Sequence, residues 1–469
     1  MIEYEEIKDI VRGFKDPSML VLGSHSALDA WSGARNNGLK CIVYTTRERA
    51  LIYLQNAIAG EPEEFIEDLP STVSRDVSVV WDLKDLKRNW KYAILVLNSY
   101  SDILKHVDEL LELECIQIPN RAFTVYVGGD EHCSVIERDF PVPLLGSRHL
   151  LKVENRGIER DYYWFLDKAG IPYPKSFEFS VGKNGIKFKE RIDKPLILKA
   201  HHPERVFERA FIFAADSDDL EEKVEAAIGR GEIDVECLKK ARIEELTLGP
   251  HANFNFFFSP INSAKNWGSV EEFYAKLYRL SLEEARICLA NEFLSIDERR
   301  ETILDGLRRL PVDVQMKILK KILPTFEVTL HSIISIRESL IKDVLRCANR
   351  LLFTFRDYAF PGIIGAWCLQ TLITWGFPSE YDLKPSLKSG VSVEGLGFGI
   401  YDSHRGEAPM HIPVTQDLAL RHGGGTNVHM GIGGQYSNAR YGRRLSMGDR
   451  IALELKRAMK INALDLIVT

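Results

Sequence analysis

The chain has 469 residues, 45% of them apolar and 27% charged, a composition that suits a folded protein with more than one core. Lys and Arg number 61 against 67 Asp and Glu, a formal net charge of −6, which argues against a nucleic-acid or anionic-membrane partner and requires any positive site to be local. Seven scattered cysteines without a CxxC pair, and an acidic start (MIEYEEIKD) without an apolar signal region, point to a reduced, cytoplasmic protein.

MLVLGS (19–24) is strand-like, ALDAWSGARNNG (27–38) has helical spacing and stops at glycine, and KCIVYTT (40–46) is a second strand. That is a βαβ unit, which implies a parallel sheet with ligands at the carboxyl ends of its strands. The junction reads LGSHSAL (22–28). Unpaired N–H groups at a helix start favour an anion, and Ser24, His25 and Ser26 would add side-chain donors there. Equally, Ser24 or Ser26 serves as an ordinary helix cap.

YAILVLN (92–98), a helical SDILKHVDELLELE (101–114) and a strand-like FTVYVGG (123–129) extend this pattern to about residue 140, without a GxGxxG dinucleotide turn. A second unit opens with a helix that Gly170 stops, followed by the strands KPLILKA (194–200) and RAFIFAA (209–215), a helix from 218, and NFNFFFSPI (253–261). Lys199, ending an apolar strand, either snorkels at the sheet edge or faces an anion in a cleft. Residues 262–325 read as a helical insertion whose two helices each open on a capping box, Ser269 with Glu272 and Ser281 with Glu284.

FPGIIGAWCLQTLITWGF (360–377) opens on Pro-Gly and is broken by Gln370 and two threonines, so it reads as a buried strand and not a membrane span. Six glycines between 423 and 434 mark a backbone that bends or approaches something closely, with Asp417, Arg421 and Asn427 around it. Residues from Ser446 to Met459 form an amphipathic helix.

LGSHSAL, PNRAFTVYVGGD (119–130), FPVPLLGSRHLLKVENR (140–156), LDKAGIPYPK (166–175), FFFSPI (256–261), PGIIGAWCL (361–369), GGGTNVHMG and YSNARYGRRLSMGDRIALELK stand in an order that resembles the archaeal formate-dependent 5-formaminoimidazole-4-carboxamide ribonucleotide synthetases, members of the ATP-grasp superfamily. The resemblance implies an α/β ATP-grasp architecture: a Rossmann-like parallel-sheet domain over 1–140, a central α+β subdomain over 141–261, the helical insertion over 262–325 and a C-terminal subdomain over 326–469.

It also implies a ligase that uses ATP, Mg²⁺ and formate to formylate aminoimidazole carboxamide ribonucleotide, a homo-oligomer working on small molecules without nucleic acid or membrane. By the same resemblance His25 is catalytic and, with Ser24 and Ser26, holds the ribonucleotide; Lys152, Lys199 and Glu245 meet ATP; Gln370 and Asp417 fall on the metal positions. The chain departs from the family at several of these places. A glycine-rich lid is replaced by AHHPERVFERAF (200–211), where His202, Arg205 and Arg209 are available as side-chain donors; Gln370 stands for a carboxylate, Ala122 for a serine and Ile303 for an asparagine. Such changes keep open a diverged paralogue, either a ligase with another acceptor or a nucleotide-binding partner protein without catalysis.

Overall fold

The computed structural model describes residues 1–56, 77–130, 132–200, 210–321, 328–381, 385–391, 409–425 and 435–469. Five strands, β1 (Ser18–Leu22), β2 (Cys41–Thr46), β3 (Val77–Val80), β4 (Tyr92–Leu97) and β5 (Cys115–Ile118), form an all-parallel sheet in the order β3-β4-β2-β1-β5. SMLVL and YAILVL are buried at every position, as expected of strands covered on both faces. Helix Ala27–Asn36 makes the expected crossover from β1 to β2.

FTVYVGG departs from its strand-like composition. Its first four residues lie in helix Arg121–Tyr126, because the Asn120 side chain accepts from the Phe123 N–H at 3.0 Å and so caps a helix start that β-branched and aromatic residues alone would not suggest. The stretch after Ser99 begins as a 3-10 helix, Tyr100–His106, and continues as an α-helix, Val107–Glu112.

The second unit is antiparallel. It contains β6 (Ser176–Phe177), a hairpin of β7 (Ser180–Gly182) and β8 (Gly185–Lys187), β9 (Leu196–Ala200), β10 (Ala210–Ala214) and β11 (Arg242–Glu245), with the sheet order β10-β9-β11-β6. Helix Ser217–Gly229 covers it with Leu220, Val224 and Ala227.

A third sheet, also antiparallel, joins β12 (His251–Phe258), β13 (Asn291–Glu301), β14 (Val328–Ile333), β15 (Gly365–Gly376) and β16 (Met410–Ala419) in the order β14-β13-β12-β15-β16. The expected insertion is therefore helical only in part. Helices Ser269–Tyr278, Leu282–Ala290, Thr302–Leu307 and Val312–Leu319 are present, but β13 runs between them, paired with β12, and the expected boundary after residue 261 falls inside one sheet. Of the two capping boxes only Ser281 with Glu284 forms; Gly268, at φ +60°, occupies the cap before Ser269. The helix Glu338–Tyr358 buries Leu340, Val344, Cys347, Leu351 and Phe355 at helical spacing, and Phe355 stacks on Phe165 of helix Tyr162–Ala169 at 4.1 Å.

Ser446 caps helix Met447–Lys460, which closes the molecule by crossing helix Ala27–Asn36 backbone to backbone. A β-carbon on Gly33 would stand 2.1 Å from the Gly448 carbonyl carbon, and one on Gly448 would stand 2.0 Å from the Asp29 carbonyl oxygen. Glycine is the residue that permits this approach. The contact fixes the helix after LGSHSAL against the C-terminal end of the chain.

Candidate functional site

The junction Gly23–Ser26 is held from three sides. Asn120 donates to the Leu22 carbonyl at 2.9 Å, Tyr100 to that of Gly23 at 2.9 Å and Tyr53 to that of Ser24 at 3.2 Å. Ser26 stands at the helix cap, yet its hydroxyl makes no capping bond. The Oγ atoms of Ser24 and Ser26 are both buried without a hydrogen-bond partner among the described residues. Such a hydroxyl costs about 1–3 kcal/mol when left unmade, so this junction is arranged for something other than its own helix. His25 keeps an open edge, while the protein packed around the rest of its ring, then Arg421, His331, His422 and Arg49, hold the imidazole down to about 4. It is neutral at physiological pH, in a recess that cations crowd.

The opposite wall comes from the third sheet and the start of the glycine run. A β-carbon on Gly424 would lie 2.7 Å from His25 Nε2 and 3.3 Å from His331 Nε2; one on Gly425 would lie 2.6 Å from Asp297 Oδ1. What these two glycines approach is thus the pair of histidines and a buried carboxylate. His422, one residue before the run, is buried and bonded to Asp29 Oδ2 at 2.9 Å, and the Gly448 N–H donates to the same oxygen at 3.0 Å. Arg421 pairs with Glu154 at 3.0 Å.

From this wall a polar row runs across the sheet. Asn253 on β12 faces Asp297 on one side and Gln370 on the other, and Gln370 faces Asp417. Laterally paired residues share a face, so all four belong to one surface. Asp297 accepts from Asn253 at 2.9 Å and from Asn255 at 2.7 Å. Gln370 Oε1 is buried without a hydrogen-bond partner among the described residues.

At the far end lies the second unit's strand pair. Lys199 on β9 does not snorkel: it is 5% exposed and pairs with Glu244 at 2.6 Å, and it donates to Tyr163 at 3.2 Å. Burial lowers its ammonium to about 8 against the pull of Glu244, with Arg156 and Asp417 also acting on it. Burial pushes the Glu244 carboxyl up, but Lys199 and Arg242 prevail and hold it below the ordinary range. Arg242 also lies over the Tyr163 ring, 3.6 Å from its centre.

Over its whole length the chain is similar to proteins named 5-formaminoimidazole-4-carboxamide-1-(beta)-D-ribofuranosyl 5'-monophosphate synthetase. That of Methanopyrus kandleri is 28% identical and that of Methanocaldococcus jannaschii 26%, each aligned over 100% of both chains. The chain is thus similar to this synthetase family from end to end. Within it, residues 19–177 match a family described as a protein of unknown function (DUF1246), and residues 219–384 with 409–469 match a domain of unknown function (DUF1297). The crystal structure of an IMP biosynthesis protein, PurP, from Thermococcus kodakaraensis has the same fold, with a TM-score of 0.55 at 21% identity over 96% of this chain and 100% of that one. The architecture is a mixed α/β one, a parallel sheet joined to two antiparallel sheets.

The structure thus brings Ser24, His25 and Ser26 together at one end of the polar row and sets Gln370 beside Asp417 along it. Lys199 and Asp417 are near enough for each to act on the other's charge. The two remaining candidates stand in separate ion pairs: Lys152 with Glu137 at 2.9 Å, and Glu245, on the end of β11, with Lys194 at 3.0 Å. His202, Arg205, Arg209 and Asn427 lie outside the described residues. The sequence reading missed Asp297, His331, Asn253 and Asn255. The one local signal was polar alternation in NFNF, which sets Asn253 and Asn255 on the same face.

Proposed function

We propose that this protein is an ATP- and formate-dependent ligase that formylates the amine of aminoimidazole carboxamide ribonucleotide. The observation that carries the reading is the pair of buried hydroxyls of Ser24 and Ser26, without a hydrogen-bond partner among the described residues, at a helix start with neutral His25 between them, in a chain whose full-length relatives are named for the product of that reaction. Ser24, Ser26 and the N–H groups of the helix start bind the ribonucleotide phosphate, with Arg49 and Arg421 adding positive potential. His25, uncharged, accepts a hydrogen bond from the acceptor without repelling the cations around it.

Formate oxygen attacks the γ-phosphorus of ATP and ADP leaves with the bridging oxygen; the acceptor amine then attacks the formyl carbon of the resulting formyl phosphate, and inorganic phosphate leaves. Lys199 neutralises the nucleotide phosphates and Glu245 meets the rest of the nucleotide, with Lys152 as the further basic residue. Asp417 and the unsatisfied amide oxygen of Gln370 fit a magnesium ion as one anionic and one neutral ligand, and such an ion would offset the charge that builds on the transferring phosphoryl group. Among the described residues no helix is long and apolar enough to cross a membrane. A cytoplasmic location and association with copies of itself are part of this proposal.

One observation favours a second reading. Gln370 brings no charge to the metal position, which lowers the affinity for Mg²⁺ and suits a nucleotide-binding protein without turnover. One experiment separates the two: the purified protein with Mg-ATP, formate and the ribonucleotide, followed by ADP release and by mass spectrometry of the product. Formylated ribonucleotide with matching ADP establishes the ligase. Formate-dependent ADP release without that product moves the acceptor elsewhere, and a rise in melting temperature with Mg-ATP but no ADP release establishes the binding role.

A further inference from the structure

His331 sits on β14 and Asp297 on β13, 34 residues apart in the chain, and the β13–β14 pairing sets His331 opposite Arg299 so that its ring reaches back to Asp297. The Asp297 carboxylate lies 2.6 Å from His331 Nδ1 and is 1% exposed. Its two oxygens already accept from Asn253 and Asn255, so the group is committed as an anion. Burial raises its carboxyl, and the bonds from His331, Asn253 and Asn255 outweigh that and bring it below the ordinary range.

A carboxylate held this way takes the proton of Nδ1 as a hydrogen bond, which leaves the lone pair on Nε2. That Nε2 and His25 Nε2 both lie against Gly424, 3.3 and 2.7 Å from where a β-carbon on it would stand. Two imidazoles from separate units therefore converge beside the seat proposed for the acceptor, and His331 has the buried carboxylate of Asp297 behind it. The other charged or titratable groups around them are Arg299 and Glu298 on β13, Arg421 and His422 before the glycine run, and Arg49 beyond β2.

We infer that His331, oriented by Asp297, is the base that takes the proton of the acceptor amine. The inference rests on the proposed ligase activity. As the amine nitrogen forms its bond to the formyl carbon, the N–H bond breaks, its electron pair stays on nitrogen, the proton passes to His331 Nε2, and phosphate departs with the electrons of the C–O bond. Asp297 stabilises the imidazolium and remains ionised, as the buried carboxylate of a Ser-His-Asp triad does. His25, held neutral down to about 4, is a weak proton acceptor at pH 7 and is left to position the amine. Asp297 is the positioning residue, since it acts through His331.

The test compares wild type with His331→Gln and Asp297→Asn in two assays. Formylation of the ribonucleotide should fall roughly 100-fold or more in His331→Gln at pH 7. Trapping of the formyl phosphate by hydroxylamine, with ATP and formate but no ribonucleotide, should stay within about twofold, because that half-reaction needs no base at the amine. Added imidazole should restore part of the lost formylation in His331→Gln, and Asp297→Asn should lower kcat with the ribonucleotide KM little changed. Full formylation by His331→Gln overturns the inference while leaving the ligase intact. Equal loss of both half-reactions also overturns it, as a structural role would cause. No turnover by wild type overturns the functional reading itself, and the inference with it.

Discussion

The two ends of the polar row differ in how their groups are satisfied. At the end proposed to hold the nucleotide the charges are paired internally: Lys199 holds Glu244, Glu244 holds Arg242, and Glu245 holds Lys194. At the end proposed for the acceptor the hydroxyls of Ser24 and Ser26 are buried without a hydrogen-bond partner among the described residues, and His25 is kept neutral among cations. Under the proposed function the acceptor seat is thus pre-formed at a standing cost to stability, whereas the nucleotide seat is stable alone and has to exchange internal partners for phosphate. Substitutions should accordingly unfold one end and leave the other folded but empty.

The largest effect is expected at the nucleotide end. Glu244 is fully buried and Lys199 nearly so, and the two pair at 2.6 Å. Glu244→Gln leaves a buried ammonium facing an amide, and breaking one side of such a pair costs about 3–5 kcal/mol. Thermal or denaturant unfolding should show that loss, and Lys199→Met added to Glu244→Gln should return part of it. A small change in the single variant would mean that water reaches Lys199.

How much of this contrast was legible in the sequence depends on how local each signal was. LGSHSAL shows its strand, turn and helix within seven residues, and the structure keeps them in place. Lys199 stands out in the sequence as a cation ending an apolar strand, but its partner does not: Glu244 and Glu245 are adjacent and chemically alike, and only strand alternation sends one inward and the other to Lys194. Asp297 and His331 were invisible because their relation is a matter of register between β13 and β14, and β13 was read as part of a helical insertion. FTVYVGG failed for the opposite reason: a local composition that favours strands yielded to one side-chain bond from Asn120.

A smaller effect follows from pH at the acceptor end. His25 binds a proton near 4 in the folded chain and near the ordinary 6.5 when unfolded. Between these values the unfolded chain holds more protons, so stability is full above about 6.5 and is lost as the pH falls toward 4. His251, lowered to about 4 by burial and then by Arg299, adds to the same slope. With the open edge of the His25 ring allowed for, its share is on the order of 1 kcal/mol. Urea unfolding of His25→Gln at pH 7 and pH 5 should show a flatter difference than wild type; an unchanged slope would assign the loss to His251 and other groups.

The smallest stability effect, and the sharpest test of the contrast, belongs to the two serines. A buried hydroxyl with no partner lowers stability, so replacing it by a methyl group should cost nothing. Ser24→Ala with Ser26→Ala should therefore leave the melting temperature of the free protein unchanged or slightly raised, the reverse of what an ordinary helix cap predicts, where loss of the hydroxyl costs about 1 kcal/mol. Binding should respond in the other direction. A hydrogen bond to a charged phosphate contributes about 1.5–3 kcal/mol, so affinity for the acceptor ribonucleotide, measured by calorimetry, should fall at least tenfold, while Mg-ATP binds as before. If the double variant melts lower and binds the ribonucleotide normally, the hydroxyls serve the helix after all. The contrast between a stable nucleotide seat and a costly acceptor seat would then rest on His25 alone.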